Sequence, residues 1–171
     1  MTSWLARTAL VLAAALVLAG CAGHVRSLVT VHGNGFTIGL PDAPKVSHET
    51  YRTISGDVRA LLYTDARPTY AFVASLTAYP VHQQITLDGA VNAVAKSIQG
   101  TVRLDRRLTF HGLPAVQARI FGSSGGTEVT IFILVIDVHK KLFQLEYIAS
   151  GPELRMAPPI LTKVAYSISF T

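Results

Sequence analysis

Three sets of residues could carry chemistry in this chain: a glycine–serine run, six histidines and a scatter of carboxylates. A serine nucleophile on an α/β scaffold needs a G-x-S-x-G elbow, a sharp turn from a strand into a helix that lifts the hydroxyl clear of the backbone. Gly122-Ser123-Ser124-Gly125-Gly126 has the letters in another order, with strand-like residues on both sides, and reads as a hairpin loop. A phosphate cradle fails here too, because such a loop must open a helix and this one opens a strand. His24, His32, His48, His82, His111 and His139 fall one per segment, with no i, i+2 or i, i+4 pair of the kind that converges on a metal. The closest approach to an acid–base pair is Asp137 with Glu146, expected to face one another across the last hairpin. Tyr51, Tyr63, Tyr70, Tyr79, Tyr147 and Tyr166 could line a cleft, but half-apolar rings of this kind more simply cap a core at its sheet edges. No catalytic residue, metal or cofactor is expected, and the chain does not read as an enzyme.

The one specific motif lies near the start. Arg7 precedes an apolar run from Ala9 to Ala19, followed by Gly20 and Cys21. The run is shorter than the roughly 20 residues of a spanning helix and has the length of a secretory h-region. Leu18-Ala19-Gly20-Cys21 resembles the lipobox of bacterial lipoproteins. That resemblance implies signal-peptidase recognition at Leu18, Ala19 and Gly20, and a diacylglycerol on the Cys21 thiol. Cys21 is the only cysteine, so no disulfide competes for it. The expected organisation is a signal peptide over 1–20, a lipidated tether over 21–31 and one domain over 32–171. Two or more acyl chains hold durably where one does not, so the protein is expected outside the cytoplasm on a lipid anchor. Ala22, where a retention aspartate could stand, permits sorting to an outer membrane.

The mature chain would hold 151 residues, enough for one core, with 14 basic and 10 acidic side chains once Arg7 is removed. That excess is small and dispersed, unlike the clustered stripe of a nucleic-acid binder. Arg103, Arg106 and Arg107 form the only tight basic group. Such a run commonly makes a solvated face; the functional alternative is contact with anionic envelope lipid.

The elements that must position these residues are mostly strands. Alternation and turn residues predict strands over Phe36–Leu40, Val46–Ile54, Val58–Thr64, Tyr70–Tyr79, Val102–His111, Ala115–Gly122, Glu128–His139 and Leu142–Ala149. Turns are expected at His32–Gly35, Ser55–Asp57, Gly112–Pro114, Gly122–Gly126 and His139–Lys141. A helix is expected from an N-cap at Thr86 to Gly100, with Leu87, Val91, Val94 and Ile98 on its inner face. A second, with Pro159 in its first turn, carries Ile160, Leu161, Val164 and Ile168. Two strands, Tyr70–Tyr79 and Glu128–His139, are apolar on both faces and need cover on both.

In this order the elements resemble the Mog1/PsbP-like α/β/α sandwich, and in particular small bacterial lipoproteins of the LpqN and DcrB type. The likeness rests on Gly35-Phe36-Thr37-Ile38-Gly39-Leu40-Pro41, the single mid-chain helix, Leu108-Thr109-Phe110-His111-Gly112-Leu113-Pro114 and the Ser167-Ile168-Ser169-Phe170 ending. It implies an α+β fold, a mostly antiparallel sheet with helices packed on it. It also implies an accessory or interaction module of an envelope complex, with a protein partner of unknown identity. The alternative is a carrier of a small ligand or lipid in an apolar pocket between sheet and helix. A hydrolase whose groups meet only in the fold ranks last.

Overall fold

The computed structural model describes residues 27–53, 56–79, 86–151 and 158–171. The elements are β1 (Val29–His32), β2 (Phe36–Leu40), β3 (Lys45–Thr53), β4 (Gly56–Ala66), β5 (Tyr70–Ala78), α1 (Leu87–Ser97), β6 (Thr101–Phe110), β7 (Leu113–Ser124), β8 (Thr127–Val138), β9 (Lys141–Ser150), α2 (Pro159–Tyr166) and β10 (Ser169–Phe170). Seven strands form one antiparallel sheet in the order β3-β4-β5-β9-β8-β7-β6, and β1-β2-β10 form a second, smaller one. The expected α+β architecture is therefore observed.

Tight turns set the register of β6 through β9. Both central residues have positive φ at His111–Gly112, Gly125–Gly126 and His139–Lys140, as a two-residue hairpin of the I′ type requires to match the strand twist. This corrects two expectations. The first turn is His111–Gly112 rather than Gly112–Pro114, and Pro114 lies inside β7 opposite Thr109. The glycine–serine run is not a loop throughout: β7 continues to Ser124, paired with Thr127, and only two glycines turn.

Helix α1 starts as the sequence implies, with the Gly89 N–H donating to the Thr86 hydroxyl at 3.0 Å. Its end differs from expectation. Gln99, not Gly100, takes the left-handed conformation (φ +49°), and the Gly100 N–H returns to the Ala95 carbonyl at 2.7 Å. Gly100 is needed for closeness instead. A Cβ at Gly122 would lie 2.7 Å from the Gly100 Cα and from the Ile98 carbonyl, so the helix end sits directly on β7. The Ser123 N–H donates to Ile98 O at 2.9 Å there.

The two faces of the large sheet carry separate cores. α1 lies over β6, β7 and β8, burying Val91, Ala95 and Ile98 against Val116, Ile120, Ile131 and Val135. The small sheet and α2 cover the other face, where Phe36, Ile38, Leu161 and Val164 meet Phe72, Phe132, Leu134, Phe143 and Leu145. β8 supplies alternate residues to both cores, which is why it is apolar on both faces. Each fully buried side chain of this size stabilises by about 1.5–3 kcal/mol.

Two short strands were not foreseen. Val29–His32, whose first three residues were assigned to the tether, pairs with β2, and Ser169–Phe170 pairs with β2 on its other side. The Ser167 hydroxyl fixes this arrangement by accepting from the Gly39 N–H at 2.7 Å and donating to the Val164 carbonyl at 2.6 Å. A Cβ at Gly39 would fall 3.1 Å from that oxygen.

Candidate functional site

Cys21 and the recognition residues Leu18, Ala19 and Gly20 lie outside the described residues, as do His24 and His82. The arginine group lies on edge strand β6, where strand alternation divides it. Arg106 is opposite Gln117, with an Nη2–H donated to its Oε1 at 2.9 Å on the small-sheet face. Arg107 is opposite Val116 on the helix face and pairs with Asp88 of α1. Arg103 occupies an irregularity where the register shifts between Val102 and Leu104. The three side chains therefore do not converge on one ligand.

The other chemistry-bearing residues disperse in the same way. Asp137 is opposite Leu142 and Glu146 is opposite Ile133, so the expected pair is offset by four residues, roughly 13 Å along the strand. His111 and His139 serve as turn residues, and His32 lies 3.4 Å from the Thr37 hydroxyl. No group of three metal-ligating side chains occurs among the described residues. Tyr63, Tyr70 and Tyr147 do cap the core. Tyr70 stacks on Tyr147 at 5.3 Å, Phe72 meets Tyr147 edge-on at 5.1 Å, and Tyr63 meets Phe36 at 5.3 Å. Burial pushes the Tyr70 and Tyr147 phenols above their ordinary range.

The structure assembles three features that sequence spacing did not reveal. First, an ionic knot ties the chain leaving β2 to the β4–β5 hairpin. Asp65, only 4% exposed, accepts from the Asp42 N–H at 3.0 Å and from Arg67 Nε at 2.9 Å. Arg67 Nη2 also reaches Asp42 at 3.0 Å. Asp65 and Arg67 bracket one residue of a hairpin, a local cue, but Asp42 joins only through the fold.

Second, Glu146 stands half-buried on the helix face of central strand β9, between Val73 and Ile133. Burial alone pushes its carboxyl up to about 7.

Third, a groove of about 300 Å³ opens on the small-sheet face at the β3 end of the molecule. Asn34, His48, Arg59 and Lys141 line it, with Leu61 and Leu76 beneath. By contrast, the apolar cavity between the sheet and α2 holds about 30 Å³, space for little more than a water.

The two edges of the large sheet also differ. β6 carries the register shift and four charged side chains, Arg103, Asp105, Arg106 and Arg107. β3 pairs with β4 through nine consecutive residues, Lys45↔Thr64 to Thr53↔Gly56, with no shift and no proline. Val46 on that edge strand is 49% exposed.

No protein-family model matches the chain, and no curated protein does. Among solved structures, PA94 of Pseudomonas aeruginosa, a protein of unknown function, aligns with a TM-score of 0.39 at 9% identity, covering 61% of this chain and 83% of its own. The solution structure of the cyanobacterial PsbP protein CyanoP from Synechocystis sp. PCC 6803 aligns with a TM-score of 0.61 at 12% identity, covering 91% of this chain and 99% of that one. At that identity the likeness speaks for architecture and not for activity: the domain has a PsbP-like α+β fold.

Proposed function

We propose that the protein is a lipid-anchored accessory module of a bacterial cell envelope, held by acyl chains on Cys21 and docking a protein partner through β3. The contrast between the two sheet edges carries the docking half. An unpaired strand edge presents a row of N–H and C=O groups that templates another strand, and proteins that must stay unpaired blunt such edges with charges and bulges. β6 has both devices. β3 also carries charges, Lys45, Glu49 and Arg52, but its register is regular over nine residues with neither a bulge nor a proline, and it suits addition of an extended segment from a partner.

The anchor half rests on the lipobox-like Leu18-Ala19-Gly20-Cys21 and on the lack of any other cysteine. The stretch from Ala22 to Leu28 reaches about 25 Å when extended, which would keep the domain close to the membrane. A carrier role would require an enclosed apolar volume of roughly 300–1,000 Å³, and the cavity beneath α2 holds about 30 Å³. The anchored docking module is accordingly the better supported reading.

Intact mass of protein purified from its native envelope tests the anchor. Residues 21–171 plus acyl chains are expected, with the modification lost in Cys21→Ala; an unmodified full-length chain contradicts it. A photo-crosslinker placed at Val46 or at Arg106 tests the dock. A protein adduct of one defined mass is expected from position 46 alone, and equal labelling from both positions contradicts it.

A further inference from the structure

We infer that the groove at the β3 end binds the phosphate-bearing headgroup of an anionic lipid, with Arg59 and Lys141 holding the phosphate. The register places both cations on one face. Arg59 is opposite Thr50, two residues before Leu61, which belongs to the rim of the small-sheet core. Lys141 is opposite Ala78, two residues before the buried Phe143 of that core. β4 and β9 are separated by β5 alone, so the two backbones stand roughly 10 Å apart. Both side chains can reach one tetrahedral anion from that distance.

Lys141 is already turned toward the groove. Its Nζ lies 4.0 Å from where a Cβ of Gly35 would be, against the turn that carries Asn34. His48, across from Leu61, adds a ring N–H donor at the rim, and Asn34 adds an amide.

Charge selects the ligand's sign. Among the described residues no Asp or Glu lines the groove, and neither Arg59 nor Lys141 has an ion-pair partner. Arg67 and Arg107, by contrast, are held by carboxylates. The apolar floor selects an amphiphile over a bare anion. Leu61 and Leu76 are half-buried beneath the cations, so a molecule with a phosphate and an adjoining hydrocarbon segment satisfies both parts. A membrane surface supplies that combination, and the proposed anchor would keep the groove near one; only this supply rests on the anchor reading.

The test uses the full-length chain in neutral detergent micelles doped with phosphatidylglycerol or phosphatidylcholine, with lipid binding read by native mass spectrometry. Two double variants each remove two positive charges: Arg59→Gln with Lys141→Gln in the groove, and Arg103→Gln with Arg106→Gln on β6. Loss of two charge-assisted contacts should weaken phosphatidylglycerol binding at least about ten-fold in the groove variant and less than about two-fold in the β6 variant. Phosphatidylcholine should bind weakly to all of them. Equal losses in the two variants, or none in the groove variant, would overturn the assignment. So would glycerol phosphate or an acidic peptide binding as tightly as phosphatidylglycerol, which would indicate a free phosphate or a protein ligand instead. Arg59 and Lys141 are exposed, so thermal unfolding of the groove variant should match the parent. Cys21→Ala protein should keep the same headgroup preference, which separates failure of the anchor from failure of the groove.

Discussion

The two ends of the large sheet are built on different physical terms. At the β6 end, α1 closes one face with aliphatic packing, the helix terminus presses glycine to glycine against β7, and a bulge with four charges blunts the edge. At the β3 end, the Asp42–Asp65–Arg67 knot holds the hairpin, a cationic groove stays open and the edge strand has neither a bulge nor a proline. One end is finished against solvent. The other retains backbone and charge that a partner or a membrane can use. Glu146 lies between them, on the strand beside the limit of α1's cover.

The contrast can be tested by substitution, and the largest effect belongs to the open end. Asp65→Ala leaves Arg67 without its buried partner and should cost about 3 kcal/mol in urea unfolding. Faster amide exchange should appear in β4 and β5 and not in β7. Gly122→Ala does the converse. Its Cβ meets the Gly100 Cα and the Ile98 carbonyl, and about 2 kcal/mol of overpacking should loosen α1 and leave the knot intact.

Glu146→Gln tests the boundary by pH. A carboxyl raised from 4.5 to about 7 stays protonated in the folded chain while the unfolded chain ionises. Stability therefore falls as pH rises from about 4.5 to about 7 and then levels off. The variant should flatten that slope and gain about 2 kcal/mol at pH 8, a figure reduced for partial exposure, with no gain at pH 4. An unchanged slope would remove Glu146 from the account. Lys140→Gly relieves a left-handed φ of +71° and should stabilise by about 1 kcal/mol in thermal unfolding. Val46→Lys is the smallest in stability, within about 0.5 kcal/mol. It should still abolish crosslinking from a probe placed at Thr50 of the same strand, since it adds a second lysine beside Lys45 on the edge where a partner strand would pair.

The sequence was most legible where periodicity carries the signal. Val91 and Ile98 of α1, the two-faced apolarity of β8, and Phe143, Leu145 and Tyr147 of β9 lie as their spacing implies. The turn expected at Gly112–Pro114 falls at His111–Gly112 because His111 adopts the left-handed backbone that glycine usually signals. β1 and β10 escaped notice because four and two residues are too short for alternation to be read. The groove was illegible for a further reason. Asn34, His48, Arg59 and Lys141 come from four separate segments and meet only through strand order, whereas adjacent Arg106 and Arg107 look like a cluster and part to opposite faces.

The most direct measurement is amide hydrogen exchange of the protein in native envelope vesicles beside the same protein purified in detergent. Docking through β3 predicts that amides of Lys45–Thr53 become protected in the envelope while those of Thr101–Phe110 exchange alike in both states. Protection of β6 instead, or β3 exchange that is the same in both preparations, would contradict it.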